Sequence, residues 1–179
     1  MQLTMKNIPA LFVYLLSLIV IPYSLKGQDS PPLFSNDLGE WKDLGFSGYI
    51  SMYVADSCKL QDSICVRSCF FIKFKIDRNG NLKNISENVD APKNLANAFK
   101  KAIFTTNGHW KPALKNRKPV TSIYLIMPVY VNLQACPPES KIDDSMYKSF
   151  TMLHNYNDNT SIEGEVCIIL KPAMLVSFH

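Results

Sequence analysis

Several kinds of chemistry are missing from this chain of 179 residues. It has no Cys-x-x-Cys pair, and its three histidines, His109, His154 and His179, stand far apart, so the ligand spacing of a structural zinc site is absent. No cysteine lies beside a histidine, and there is no hydrolase nucleophile motif, no glycine-rich phosphate loop and no pair of carboxylates in a plausible site. Each of those patterns is the signature of a reaction class, and without them the expectation is a protein that is not an enzyme and requires neither cofactor nor metal. The chain also lacks internal repeats, low-complexity tracts and any nucleic-acid-binding motif. A binding or structural role is what remains.

The first 27 residues lack acidic side chains. They hold Lys6 and Lys26 around a run from Ile8 to Tyr23 in which Ser17 is the only plainly polar residue. Crossing a hydrocarbon core takes about 20 apolar residues; this run is shorter and follows a short basic segment, as a secretory leader does. Residues 1–27 therefore read as a leader cleaved near Gln28, or as a short inner-membrane anchor if they are retained. Either way the rest of the chain is expected outside the cytoplasm, in the periplasm or cell envelope.

All five cysteines, Cys58, Cys65, Cys69, Cys136 and Cys167, follow the leader. An oxidising compartment favours disulfides, an odd number leaves one thiol unpaired within a monomer, and the alternative for each is a plain buried thiol. Cys136 and Cys167 bracket the C-terminal segment and are the first pairing to expect.

Charge is scarce in net terms. The formal +4 becomes +2 without the leader, because removing Lys6 and Lys26 leaves 17 basic residues against 15 acidic. Its distribution is uneven. Residues 70–119 contain 11 Lys/Arg and 3 Asp/Glu, whereas residues 28–69 and 134–179 each contain 3 basic and 6 acidic. A basic centre of this kind is a solvated face or a surface that steers an acidic partner.

The pattern divides the chain at 1–27, 28–69, 70–133 and 134–179. Residues 28–45, with Pro31 and Pro32, read as a loosely ordered lead-in, and Gly48 to Val54 reads as a short strand. From Cys69 the signals sharpen. Ile72, Phe74 and Ile76 alternate with Lys73 and Lys75, the two-residue period of a half-buried strand. Asp77-Arg-Asn-Gly80 supplies turn residues that tolerate positive φ, and Leu82 and Ile85 begin the return, so 70–86 is a β-hairpin. Asp90 and Pro92 suit the start of a helix. Leu95, Ala98, Phe99, Ala102 and Ile103 then lie on one helical stripe, and Asn107-Gly108 ends it. Trp110-Lys-Pro112 reads as a structural corner. Lys115-Asn-Arg-Lys118 is a polar turn, and Pro119 opens a strand with Ile123, Leu125, Met127, Val129, Val131 and Leu133 on one side and Tyr124, Ile126, Pro128 and Tyr130 on the other. Pro128 has no N–H to give a ladder, which marks an edge or a bulge. Residues 134–163 are polar and irregular, and Glu165–Leu170 and Met174–Phe178 look like strands.

Between Phe70 and Leu133, 64 of the 179 residues, the order of these elements resembles the C-terminal domain of TonB, the energy-transducing protein of bacterial envelopes. The positions that carry the resemblance are Phe74, Ile76, Asp77, Gly80, Leu95, Ala98, Trp110, Pro112, Asn116, Lys118, Pro119, Val120, Pro128 and Tyr130. Two departures, Arg117 and Ala113 at places where the family often has glycine, bear on turn geometry. A third is larger: only Pro31-Pro32 stands where TonB has a long proline-rich spanner, and the apolar leader has no ionisable residue to couple to a proton channel.

The resemblance implies an α+β fold, a small antiparallel sheet with one packed helix in the order β-β-α-β, here with an added C-terminal β extension. It also implies a protein-interaction module that receives an extended peptide of an outer-membrane receptor by strand addition, a general mode in which backbone bonds give affinity and alternating side chains give selectivity. The edge it implies runs along the last strand of the domain, at Val120, Ser122, Tyr124, Ile126, Pro128 and Tyr130. The alternative is a disulfide-tied envelope scaffold with no transport role. The two diverge on whether residues 165–178 pair along that strand and so occupy its edge.

Overall fold

The computed structural model describes residues 28–35, 37–57, 65–134, 155–162 and 165–176. The leader, Cys58 and Cys136 lie outside these ranges, and among the described residues no helix is long and apolar enough to cross a membrane.

The lead-in is more ordered than its composition suggests. β1 (Leu33–Phe34) pairs with β4 (Trp110–Lys111), and a 3-10 helix (Gly39–Leu44) leads into α1 (Gly45–Ser57). The strand expected at Gly48–Val54 is therefore helix. Its aromatic and β-branched residues favour strands in isolation, but Phe46, Tyr49, Ile50, Tyr53 and Val54 recur at helical spacing and all pack on the core. Tertiary packing outweighs local preference here.

The hairpin forms as expected. β2 (Cys65–Ile76) starts earlier than the alternation indicated, and β3 (Leu82–Glu87) returns antiparallel to it. In the connecting turn Asp77 Oδ1 accepts the N–H groups of Asn79 and Asn81 at 2.8 and 2.9 Å. Gly80 has φ +84°, and a Cβ there would stand 2.3 Å from the Trp110 carbonyl oxygen. Glycine is required twice over, by conformation and by the close approach. A bulge in β3 between Lys83 and Ser86 is built on Asn84, whose φ is +52°, a conformation asparagine accepts more readily than most residues.

α2 (Lys93–Phe104) buries Ala96, Phe99, Ala102 and Ile103; Leu95 and Ala98 sit half-buried beside them. The expected Asp90 cap is not used. Pro92 is the capping residue, its carbonyl accepting the Ala96 N–H at 2.8 Å with no side-chain cap. Trp110 is the corner the sequence suggested: buried, with its indole N–H on Thr106 Oγ1 at 3.0 Å and its ring 4.9 to 5.8 Å from Phe34, Phe46 and Phe74. β5 (Ala113–Lys115) and β6 (Lys118–Val120) form a small hairpin through Asn116 and Arg117, both at positive φ.

β7 (Tyr124–Gln134) is the central strand. β2 pairs along it antiparallel from Phe74↔Leu125 to Cys65↔Gln134. On its other side β8 (Cys167–Ile169) and β9 (Ala173–Val176) pair in parallel, β8 with Tyr124–Ile126 and β9 with Val129–Asn132. The fold is α+β, an antiparallel β3-β2-β7 core extended by the C-terminal strands, with helices packed on one face. That face holds Phe70, Ile72, Phe74 and Ile76 of β2 and the odd-numbered residues Leu125 to Leu133 of β7, against α1 and α2.

Candidate functional site

The residues of the candidate edge, Pro128 apart, are engaged with other segments of the chain on that side. Val120 pairs with Ala113 inside the small hairpin. Ser122 is buried; its N–H donates to the Ile76 carbonyl at 2.8 Å, and its Oγ accepts the Ile76 N–H at 2.9 Å. Tyr124 and Ile126 pair with Cys167 and Ile169, and Tyr130 with Met174. The edge of β7 is thus filled by the protein's own tail.

The reading of Pro128 as an edge or bulge marker is corrected in an informative way. Leu170 N–H donates to the Ile126 carbonyl at 2.8 Å, so residue 126 directs its backbone groups toward the tail. Pro128, two residues on, faces the same way, while Phe71 opposite it on β2 directs its N–H and C=O to Asn88. The missing donor therefore costs the β2 ladder nothing. It falls where the tail breaks between β8 and β9, at Lys171-Pro172, and there the Lys171 carbonyl accepts from Ser47 Oγ at 2.6 Å instead. Proline sits inside the sheet because both strands interrupt their pairing at the same level.

The second face of the sheet carries Cys69, Phe71 and Lys73 of β2 with Tyr124 and Ile126 of β7. The segment 155–162 covers it through Tyr156 and Ile162. The alternation sets Lys73 on the polar side of a half-buried strand, yet its side chain is 0% exposed. Its ammonium lies 3.2 Å from Asp158 Oδ1, donates to Thr160 Oγ1, and stands over the Tyr124 and Tyr156 rings at 4.7 and 4.3 Å from their centroids. Lys75 lies over Tyr124 at 3.9 Å. Burying an ammonium costs several kcal/mol, and one carboxylate, one hydroxyl and two ring faces are what offset it here. Burial alone would raise the Asp158 carboxyl, but hydrogen bonds from Thr160 and Lys73, with the lysine charge, hold it below the ordinary aspartate value. The Tyr156 hydroxyl is pushed well above the usual phenol value, first by burial and then by Cys167 and Asp158, and it has no hydrogen-bond partner among the described residues.

The same segment is tied to the rest of the fold through Glu87. Asn157 N–H donates to the Glu87 carbonyl and Asn157 Nδ2 to Glu87 Oε1, at 3.0 and 3.1 Å, while Lys100 of α2 meets Oε2 at 2.6 Å. Burial opposes ionisation of Glu87, yet these bonds, that of Lys100 foremost, outweigh it and lower its pKa. Of the 11 basic residues in 70–119, Lys73, Lys75 and Lys100 are consumed by internal contacts; the other eight are exposed.

Cys69, buried, and Cys167, half-buried, are free thiols; the expected Cys136–Cys167 pairing involves Cys136, which lies outside the described residues. Burial raises both thiols, with Glu165 adding to the shift at Cys167, which disfavours the reactive thiolate. Among the described residues no group of three or more His, Cys, Asp and Glu is placed to hold a metal.

What sequence reasoning missed is the segment 155–162 and its lysine. The one available signal was Tyr156 standing within an Asn/Asp run that the polar reading treated as uniform loop. No family model, no curated protein and no solved structure matches this chain.

Proposed function

We propose that this chain is an envelope protein-interaction module with a TonB C-terminal-like core, acting by binding rather than catalysis, and that its tail stands in the place where a receptor peptide would add. The observation that carries the reading is the pairing of 167–176 along β7. A strand whose edge accepts seven residues of extended chain, side chains alternating between the two faces, is built for strand addition. Export rests on the leader: a basic start and a short apolar run that deliver the domain to the periplasm, cleaved or retained as an inner-membrane anchor.

The test is binding of labelled extended peptides, taken from the periplasm-facing segments of outer-membrane receptors of the same cell, to the full chain and to a chain lacking residues 163–179. Because Ala173 and Leu175 are buried in the core, circular dichroism on the truncation must first show a retained fold. Stronger binding by the truncated chain supports a receptor module closed by its own tail. A folded truncation that binds no receptor segment leaves the second reading, which the filled edge itself favours: an envelope scaffold that uses the fold only for stability.

A further inference from the structure

The tail that closes β7 becomes an outer strand of the sheet, and it is guarded unevenly. Along β9 the helix α1 provides the cover: Met174 N–H donates to Ser51 Oγ at 2.9 Å, and one helical turn earlier Ser47 Oγ holds the Lys171 carbonyl. The opposite edge of the sheet, β3, is blunted by the Asn84 bulge, by Asn107 Oδ1 accepting the Leu82 N–H, and by Asn157 on the Glu87 carbonyl. Among the described residues β8 has no such cover. With Ile168 and Leu170 directed at β7, the backbone groups of Cys167 and Ile169 face outward, and no partner meets them among the described residues. Apolar side chains stand exposed along this stretch, Val166 at 70% and Ile169 at 64%. An open, apolar edge is a template for another strand.

The charges on this edge indicate which strand. Glu165 precedes β8 and Lys171 follows it; both are exposed, and neither forms an ion pair among the described residues. They lie three residues on either side of Ile168, so an antiparallel copy of the same segment centred on Ile168 sets each Glu165 against the other copy's Lys171. The same register places the outward-facing Cys167 of one copy opposite the outward-facing Ile169 of the other, as a hydrogen-bonded antiparallel pair requires, and covers Ile169. We propose that β8 is a two-fold homodimer interface, joining two sheets edge to edge through a second copy of this chain. A C2 contact must be self-complementary, and the Glu165/Lys171 arrangement supplies that property. The proposal is independent of the receptor reading, since it uses the outer side of β8 and leaves its pairing with β7 intact.

Sedimentation equilibrium on the full chain, in detergent if the apolar leader is retained, tests it with a charge cycle. Glu165→Lys and Lys171→Glu each place like charges together twice per dimer, and each should weaken dimerisation about tenfold or more; the double exchange should restore it. Both side chains are exposed, so thermal melts at concentrations where the chain is monomeric should be unchanged. In a second arm, Ile169→Cys should cross-link to Cys167 of a second copy under mild oxidation, since a hydrogen-bonded pair has its Cα atoms about 5.5 Å apart, within disulfide range; peptide mapping separates this bridge from those of the other cysteines. A chain that stays monomeric at every soluble concentration overturns the proposal. So does a dimer indifferent to both single reversals, or an absence of the 167–169 cross-link.

Discussion

β2 and β7 lend alternate side chains to both faces of the central sheet, yet the two faces are closed by different physics. Toward the helices, Phe70, Ile72, Phe74, Met127 and Val129 meet Phe99, Ile103, Ile50 and Val54 in an apolar core. Phe70 and Phe99 contact edge to face, with centroids 5.8 Å apart. Toward the segment 155–162, a fully buried ammonium is held by Asp158 and two tyrosine rings. The first closure is non-directional and scales with buried area. The second depends on geometry and ionisation. A face closed by area tolerates a change of pH; a face closed by a buried charge does not.

The sharpest way to break the comparison is to open the apolar side. Phe99→Ala removes a side chain with no exposed surface and should cost about 3–5 kcal/mol, the range for large-to-small core changes, measured by the denaturant midpoint. A loss below about 1 kcal/mol would mean the helix side does not dominate.

The charged side should respond asymmetrically. Asp158→Asn leaves the Lys73 ammonium buried without its counter-charge and should cost about 1–3 kcal/mol, less than a fully buried pair because Asp158 is 32% exposed. Lys73→Met removes the charge together with its desolvation cost and should stay within about 1 kcal/mol of the parent, while loosening 155–162 in hydrogen exchange. The pH dependence follows in sign. Asp158 and Glu87 both have lowered carboxyl values in the folded state. Their contribution is therefore complete above the ordinary carboxylate range, and it is lost as pH falls through the lowered folded values. Amides of 155–162 should lose protection under acid before those of α2, and simultaneous loss would show that the two faces are not separately held.

The smallest effect lies at the edge of the fold. Arg117 is exposed and sits at φ +60°, a left-handed conformation that costs a residue with a Cβ about 1–2 kcal/mol. Glycine removes that strain and returns part of the gain as unfolded-chain entropy, so Arg117→Gly should stabilise by about 0.5–1 kcal/mol in thermal unfolding. The substitution leaves both faces untouched and serves as their common control.

Much of the fold was legible from residue order. The alternation at 72–76, the Asp77–Gly80 turn and the stripe from Leu95 to Ile103 are local patterns. The structure places a hairpin and a helix on them because burial there agrees with local preference. α1 was misread because its strand-favouring side chains are overruled by packing against the Trp110 cluster. The candidate edge was placed on the strand that the tail pairs with, but whether the tail fills it was left undecided, since nothing within 120–133 reports on a tail more than thirty residues away.

The sequence by itself determined the alternation of faces, the turns that need positive φ, and the missing donor at Pro128. Only the tertiary structure decided which side of β7 that missing donor faces, whether Lys73 meets water or Asp158, and what fills the sheet's edge. Those outcomes depend on contacts between segments distant in sequence, and a residue's own identity and its near neighbours do not encode which distant segment will arrive.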